Sequence, residues 1–354
     1  MVFNIRRGTW AAIALLLAIS GFSQSVHAQR EDMDTIVDGF DNPRNVAFDS
    51  DGVMYIVDAG SAGELETTVS FLGEGTTGAT GKLYAYSPEG ELSVVAYGFP
   101  STLVIGEVHG LHDLIVTDDV IWLAQGQASD RGADVPHNPF AYYIYQLDRE
   151  TMNIREAINM WEFEEANNPD GNETDSNPIS IDMADDGTLY ILDAGANSSY
   201  TWTPDQGLEV FVAWPDAPVP TAVDVAPSGE IYFSFFSPEP FEPGSARIER
   251  YSSDGELLET YGDLSMLVDV LVDEAGNIYA TQMTEFDQEN QTFLPNSGRL
   301  IRVAPDGERT VIADGLNFPN GLAWNPEGEL MMTINAAFVE EANGAVVIVP
   351  LNAD

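Results

Sequence analysis

Cysteine is absent from all 354 residues. This excludes disulfides, thiolate metal sites, a cysteine nucleophile and a lipid-modified cysteine. A Gly-x-Ser-x-Gly elbow and a phosphate-binding glycine loop are also missing, which argues against α/β-hydrolase and P-loop chemistry. Stability must therefore come from a buried core, and a hydrophobic content of 44% can supply one.

Basic residues are scarce. The chain contains 13 lysines and arginines and 58 aspartates and glutamates, which gives a formal net charge of −45. Lys82 is the only lysine. Such a surface repels nucleic acid and anionic membranes. Two explanations stay open for the acidity: a solvation shell suited to a saline exterior, where salt screens charge, or a set of divalent-cation sites. Calcium is the cofactor that the second explanation would imply.

Long apolar runs are limited to one segment near the start. Residues 11–22 ("AAIALLLAISGF") follow Arg6 and Arg7, and "VHA" precedes Gln29. Twelve residues are too few to span a bilayer, which needs about 20. The pattern predicts a signal peptide over residues 1–28 and a secreted or periplasmic protein. The rival interpretation is an uncleaved membrane anchor.

The rest of the chain, residues 29–354, repeats a β-strand pattern and is predicted to be a single domain. Short runs rich in Ile, Val, Tyr and Phe follow glycine turns, and no sustained helical period occurs. The first turn of successive units ends at Gly52, Gly187, Gly229, Gly276 and Gly328, and "TDD" before Val120 occupies the same place in another unit. Four strands per unit and six units predict an all-β, six-bladed β-propeller.

The sixth unit lacks its fourth strand, whereas the N-terminal phrase "TIVDGF" is a strand without a partner. We therefore expect residues 34–40 to complete the last blade. Such closure removes exposed sheet edges.

Nearly all long insertions fall between the second and third strands of a unit, which places them on one face of the ring. The alternative is disordered surface padding. At the mouth of the channel on that face, the first strands are expected to present Arg44–Asn45, His112–Asp113, Ile179–Ser180, Thr221–Ala222, Val268–Asp269 and Asn320–Gly321.

The segment "GEVHGLHDL" brings His109, His112 and Asp113 together; His137 is the third histidine of the predicted mature chain. Metal ligation, acid–base or polar ligand contact, and structural hydrogen bonding all remain open. In an extended segment, residues three apart are expected to point to opposite sides. Asp58 and Asp193 end equivalent strands, where capping of a turn is favoured over a place at the mouth.

Several phrases, among them "GFDNPRNVAFDSDGVMYIVDAG" and "FEEANNPDGNETDSNP", resemble the ScyD/ScyE family of exported bacterial proteins. More loosely, the chain resembles NHL and gluconolactonase-like propellers. The resemblance implies six blades but little chemistry. Gluconolactonase relatives bind a divalent metal through a glutamate, two asparagines and an aspartate. Asn320 matches one asparagine and Asp269 would replace the aspartate, whereas Arg44, Ile179, Thr221 and Val268 are not ligands.

These observations predict an exported propeller that binds a small molecule, glycan or protein, with a metal-dependent hydrolase or lactonase as the alternative and a structural module as a third possibility. No catalytic residue and no metal ligand is assigned. An aromatic mouth containing Phe140, Tyr142 and Phe241 would favour binding, and a carboxylate cluster would favour hydrolysis. The candidate ligand-binding residues are Arg44, Asn45, His109, His112, Asp113, Asp170, Asp175, Asn177, Asp269 and Asn320.

Overall fold

The computed structural model describes residues 28–29, 33–69, 73–127, 140–338 and 342–351. The predicted signal peptide, apart from Ala28, and His137 lie outside these ranges. The described chain is built of antiparallel sheets and contains one short helix, so the all-β prediction is confirmed. Within it, no helix is long and apolar enough to cross a membrane.

The strands follow one another along the chain sheet by sheet. Two strands precede the first sheet: β1 (Ala28–Gln29) and β2 (Asp34–Phe40). Sheet 1 contains β3 (Pro43–Phe48), β4 (Met54–Asp58), β5 (Leu65–Val69), β6 (Gly73–Tyr86), β7 (Leu92–Val104) and β8 (Glu107–His109). Sheet 2 contains β9 (Leu111–Val116), β10 (Val120–Gln125), β11 (Tyr143–Asp148) and β12 (Ile154–Asn159).

Helix α1 (Met160–Asn167) links sheet 2 to sheet 3. Sheet 3 contains β13 (Pro178–Met183), β14 (Leu189–Asp193), β15 (Ser198–Thr203) and β16 (Gly207–Ala213). Sheet 4 contains β17 (Pro220–Val225), β18 (Ile231–Phe235), β19 (Ala246–Tyr251) and β20 (Leu257–Leu264).

The last two sheets each include a strand from the N-terminal end. Sheet 5 contains β21 (Leu267–Val272), β22 (Ile278–Gln282), β25 (Gly298–Val303) and β26 (Arg309–Leu316). Strand β1 joins this sheet by pairing parallel with β26. Between β22 and β25, the strands β23 (Glu285–Asp287) and β24 (Thr292–Leu294) form a separate hairpin. Sheet 6 contains β27 (Leu322–Trp324), β28 (Leu330–Ile334), β29 (Gly344–Val349) and β2.

In five of the six sheets, the second strand is mostly apolar and is buried along its whole length, rather than alternating between buried and exposed residues. All five residues of β4, β14, β18, β22 and β28 are buried. A strand covered on both faces needs apolar residues at odd and even positions alike. These strands therefore mark the layers at which neighbouring sheets pack face to face.

Each sheet packs against the next one, and the core is divided among these boundaries. Sheets 1 and 2 share a cluster that includes Val57 and Leu123, both fully buried. Sheet 6 packs against sheet 1 through Phe40, Val46 and Met331. The first strands make the same series of contacts, β3 with β9, β9 with β13, β13 with β17, β17 with β21, β21 with β27, and β27 with β3.

Strand β2 pairs antiparallel with β29, from Asp34 opposite Ile348 to Phe40 opposite Gly344. Phe40 is fully buried, and its ring meets that of Tyr84 in sheet 1 edge-on at 5.0 Å between centroids. The pairing expected for residues 34–40 is therefore present. It joins segments from opposite ends of the described chain in one sheet.

The turn glycines have the backbone that their positions require. Gly52 has φ +82°, where a residue with a Cβ would be strained. Its N–H donates to the carbonyl of Asp49, whose side chain in turn accepts from the backbone N–H of Asp51 and of Val53. Asp49 therefore stabilises the turn through these hydrogen bonds.

Two features differ from the sequence-based expectation. Helix α1 interrupts the β pattern; Asn159 caps it by accepting from the N–H of Glu162 at 3.2 Å. With only eight residues, α1 is too short to give a helical period. Two of the insertions expected to be loops instead contribute strands: residues 59–81 contain β5 and the start of β6, and residues 283–298 contain β23 and β24.

Candidate functional site

The first strands converge on Asp113 in β9, whose carboxylate joins three sheets. Oδ1 accepts from Nδ2 of Asn45 in sheet 1 at 2.7 Å. Oδ2 accepts from the hydroxyl of Ser180 and the N–H of Ile181 in sheet 3, both at 2.9 Å. Burial raises the pKa of Asp113 to about 6, although these hydrogen bonds act in the opposite direction.

Three further aspartates bridge the following sheet boundaries. Oδ2 of Asp182 accepts from the N–H of Val225 at 2.6 Å, and Oδ2 of Asp269 accepts from the N–H of Leu322 at 2.7 Å. Asp224 accepts from the N–H of Val272 at 3.1 Å. Burial is the main cause that raises all three pKa values, that of Asp182 to about 7. These carboxylates therefore connect the first strands of neighbouring sheets, because each one accepts from a backbone N–H group of the next sheet.

Sheet 6 is tied back to sheet 1 through the carbonyl of Arg44. This oxygen accepts from the N–H of Gly321 at 3.0 Å and from the hydroxyl of Thr333 at 3.1 Å. A Cβ at position 321 would lie 2.5 Å from that oxygen and 2.3 Å from Oδ1 of Asn45. Only glycine allows this close approach.

A cavity of about 310 Å³ lies at one end of the first strands. Eight of the ten candidate residues line it: Arg44, Asn45, His109, His112, Asp113, Asn177, Asp269 and Asn320. Asp170 and Asp175 are not among the lining residues. Asp170 accepts from Asn172 and Asn197, and Oδ1 of Asp175 accepts from the N–H of Ser176.

Arg44 is a buried cation in this cavity, with its side chain 3% exposed. One of its terminal nitrogens, Nη2, bonds to the carbonyl of Val108 and lies 3.4 Å from Oε1 of Glu107. Its Nε is buried and has no hydrogen-bond partner. The guanidinium therefore retains a buried donor that no protein group uses.

The rings of His109 and His112 lie 6.2 Å apart, and both residues line the cavity. The expectation that they point to opposite sides is wrong, because the extended backbone is interrupted at Gly110, between β8 and β9. A Cβ at Gly110 would lie 2.7 Å from the carbonyl oxygen of Ala59. A residue with a Cβ would therefore not fit at this position.

Both imidazoles have a buried nitrogen with no partner, Nδ1 in His109 and Nε2 in His112. Burial lowers the pKa of both rings, and the Arg44 charge lowers them further; for His109 the nearby Glu107 opposes the shift. Both rings are therefore neutral at pH 7. Each can donate or accept one hydrogen bond within the cavity.

Gly126 makes room for His112. A Cβ at this position would lie 2.3 Å from Oδ1 of Asn177 and 2.8 Å from Cδ2 of His112. Sequence reasoning missed this glycine because it stands in no repeated turn. It also missed Glu107, although that residue is only two positions from His109.

Part of the cavity lining is apolar and includes Phe236, Phe241, Phe293, Phe338 and Met283. The ring of Phe293 lies 5.6 Å from that of Phe241 and 5.1 Å from that of Phe338. We call this group the phenylalanine wall. These rings come from separate insertions, so no local sequence pattern links them.

Of the three aromatic residues expected at the mouth, only Phe241 lines the cavity. Tyr142 is fully buried against Trp161, with ring centroids 5.3 Å apart. Phe140 is 67% exposed and is not a lining residue. The aromatic character is therefore present but comes from sheets 4, 5 and 6.

Asp58 and Asp193 cap turns and do not line the cavity, as the favoured interpretation stated. Oδ1 of Asp58 accepts from the N–H groups of Asn42 and Gly60, both at 2.8 Å. Asp193 accepts from the N–H of Asn177 at 2.6 Å.

The cavity residues do not fit the divalent metal that the gluconolactonase resemblance implies. In the part of the chain that the structure describes, no group of three or more His, Asp or Glu side chains is positioned to hold a metal ion. Both oxygens of Asp269 accept backbone N–H bonds, and the Arg44 guanidinium occupies the same cavity. A cation there would meet a positive charge and a carboxylate that is already used.

Comparisons with known proteins agree with this fold. Residues 180–338 match the family model described as the SMP-30/Gluconolactonase/LRE-like region. No curated protein matches the chain. The matched region contributes the phenylalanine wall, Asp269 and Asn320, but neither Arg44 nor the two histidines.

Three solved structures are similar to the chain over most of its length. Regucalcin, a calcium-binding protein from Agrobacterium tumefaciens, is 14% identical with a TM-score of 0.56, over 90% of this chain and 92% of that one. A gluconolactonase from Xanthomonas campestris is 12% identical with a TM-score of 0.56, over 90% and 89%. Virginiamycin B lyase from Staphylococcus aureus is 10% identical with a TM-score of 0.50, over 91% and 88%.

Sequence identities this low are evidence of a similar fold alone. The neighbours are β-propeller-like proteins, and together with the family match they support a relation to the gluconolactonase-like β-propeller superfamily. Fold similarity does not by itself assign an activity.

Proposed function

We propose that this protein is an exported β-propeller that binds a small organic molecule in the cavity lined by Arg44, His109 and His112. The observation that carries the proposal is a cavity whose lining combines Arg44, His109 and His112, each with a buried nitrogen that has no partner, with the phenylalanine wall. A buried polar group left unpaired costs about 1–3 kcal/mol. A ligand with hydrogen-bond acceptors would remove that cost.

The proposal includes a closed ring in which sheets 1 to 6 are six blades, with residues 34–40 completing the last one. The serial contacts of the first strands and the packing of sheet 6 on sheet 1 support it. We further propose that the closest functional group is the ScyD/ScyE family, on the strength of the phrase "NNPDGNETDSNP". The proposal that the protein is exported rests on the apolar segment of residues 11–22.

Hydrolysis of an ester or lactone is the second candidate function, favoured by the family match over residues 180–338. The chemistry would use the protein's own side chains. Both His112 and Arg44 line the cavity, where a neutral imidazole can take a proton from an attacking water and a guanidinium can stabilise the negative charge that develops on a carbonyl oxygen. The residues give no basis for routing a step through a metal.

The test of the proposed function is a fragment screen by ligand-observed NMR on the protein from residue 29 onward, with the wall variant Phe241→Ala. The matched control is Phe140→Ala, which removes an exposed ring outside the cavity. We expect fragments that bind the wild type and the control but bind Phe241→Ala several-fold more weakly. Equal binding by all three proteins, or no binding fragment at all, would contradict the proposal.

The two candidate functions are separated by a panel of lactones and aryl esters, measured by product release. Turnover that is lost in His112→Ala, while a fragment still binds that variant, would favour hydrolysis. Binding without turnover favours the binding protein.

A further inference from the structure

Building on the proposed function, we infer that the ligand is an aromatic carboxylate, with its carboxylate held by Arg44 and the two histidines and its ring against the phenylalanine wall. The first step of the argument is the charge of Arg44. Its side chain is 3% exposed, and the ion pair with Glu107 is long, at 3.4 Å between Nη2 and Oε1. A buried charge is costly unless it is well paired.

Glu107 compensates Arg44 only in part. Its side chain is 26% exposed, so water screens part of its charge, and Nε2 of the neutral His109 ring lies 4.0 Å from Oε2. The planar guanidinium matches a carboxylate through two parallel N–H donors, whereas the bonds that Arg44 makes to Glu107 and Val108 both come from Nη2. A second carboxylate, supplied by a ligand, would complete the pairing.

The two histidines also favour a carboxylate as the ligand group. Nδ1 of His109 and Nε2 of His112 are both without a partner, and each ring can donate one hydrogen bond when neutral and a second when protonated. A neutral amide or ester ligand offers acceptor oxygens but no charge for the guanidinium. A carboxylate offers two oxygens and a full charge, so it can satisfy more of the three groups.

The phenylalanine wall indicates what the rest of the ligand should be. Phe293 makes tilted contacts with Phe241 and Phe338 at 5.6 Å and 5.1 Å between centroids, and its neighbour Met283 is 5% exposed. Offset and edge-on packing of a further ring on such a surface adds binding free energy beyond that of the apolar area it buries. A cavity of about 310 Å³ accommodates a single ring with a short acid side chain.

Binding of a carboxylate should take up protons. The titratable and charged groups facing the two histidines are Glu107, Arg44 and each other, and Asp113 and Asp269 also line the cavity. A new negative charge favours the protonated form of His109, His112, Asp113 and Asp269. Affinity for the acid should therefore rise as the pH falls from 8 to 6.

The experiment is isothermal titration calorimetry with benzoate, phenylacetate and 3-phenylpropanoate, each paired with its neutral primary amide, and with hexanoate as the acid without a ring. We expect at least one aromatic acid to bind tenfold or more tightly than its amide and than hexanoate. The heat measured in buffers of different ionisation enthalpy should reveal net proton uptake on binding.

Arg44→Gln should reduce the preference for acid over amide to less than threefold, with Phe140→Ala as the control that retains it. If Arg44→Gln fails to fold, His112→Gln and the proton uptake of the wild type provide the same test. Amides that bind as well as the acids, or no binding by any of the three acids, would overturn the inference. The proposed function would survive that result if neutral fragments still bind in the cavity.

Discussion

The hydroxyl of Ser180 donates a hydrogen bond of 2.9 Å to Oδ2 of Asp113, across the boundary between sheets 2 and 3. The same hydroxyl accepts from the N–H of Val223 in sheet 4 at 3.1 Å. One aspartate and one serine therefore connect four successive sheets, because Asp113 also binds Asn45. The floor of the cavity is built from these bonds.

Asp113→Asn should destabilise the protein strongly. An amide nitrogen replacing one carboxylate oxygen cannot accept from Asn45, Ser180 or Ile181, and it leaves buried donors unpaired. The expected loss is about 2–4 kcal/mol in the free energy of unfolding, measured by urea denaturation. Asp119→Asn, at an exposed turn, removes the same charge and should cost less than about 0.5 kcal/mol. Equal losses in both variants would refute the bridging role.

Glu164→Gln should remove a pH dependence of stability. Burial, followed by the charges of Asp193 and Asp170, raises the pKa of Glu164 to about 8. The unfolded value is about 4.3. The folded state therefore holds this proton more tightly, and the associated stability is complete below about pH 4 and is lost as the pH rises through 8.

Urea denaturation at pH 5, 6, 7, 8 and 9 in 1 M NaCl checks this prediction. The wild type should lose stability as the pH rises, and Glu164→Gln should lose less and be the more stable protein at pH 9. The neighbouring exposed Glu165→Gln is the matched control and should follow the wild type. A Glu164→Gln profile parallel to that of the wild type would show that the group does not titrate as stated.

Phe40→Ala should weaken the junction between β2, β29 and sheet 1. Phe40 is fully buried, and truncation of a buried phenylalanine typically costs about 3–5 kcal/mol. Phe140→Ala, which removes a ring that is 67% exposed, should change the melting temperature little. Deletion of residues 34–40 should lower it further and promote aggregation, since β29 becomes an exposed edge. An unchanged melting temperature after deletion would rule out the structural role of this strand.

Gly126→Ala should impair ligand binding while preserving the fold. The added Cβ meets side-chain atoms of Asn177 and His112, which can move but would then shift into the cavity. We expect at least a fivefold loss of affinity for whichever fragment binds the wild type. Gly262→Ala is the control, because a Cβ there has no heavy atom within 4 Å. Unaltered affinity in Gly126→Ala would remove His112 from the site.

Calcium should not stabilise the protein beyond its effect as a salt. The cavity lacks a free carboxylate cluster among the described residues, and Asp269 is saturated by N–H bonds. The melting temperature in 1 mM CaCl₂ and in 1 mM EDTA, both at 0.5 M NaCl, should agree within about 1 °C. A calcium-specific increase of several degrees would revive the cation-site explanation of the acidity.

Much of the fold was predictable because the repeat is local. The turn glycines, Gly52 and Gly187 among them, adopt positive φ angles in the structure, and they divide the chain into strands without any knowledge of packing. The unpaired strand at residues 34–40 was predictable for a different reason. A strand missing at one end and a spare strand at the other can both be recognised in the sequence.

The site was only partly predictable. Aligning the units on their turns brings Arg44, His112 and Asp269 to one end of the first strands. The same alignment carries no information on side-chain direction where a strand is broken, and so the bend at Gly110 and the shared orientation of the two histidines were missed. The phenylalanine wall depends on how separate insertions fold over one another, which periodicity does not encode.

The pairing of Asp34 with Ile348 has a consequence for how the protein is made. At 5–20 residues per second, the ribosome needs roughly 15–60 s to deliver the second segment after the first. Throughout that interval β2 has no partner, and Phe40 remains accessible to chaperones and proteases. A chain whose translation stops before β29 leaves this strand without its partner, so a truncated product keeps an unpaired strand that the finished protein does not have.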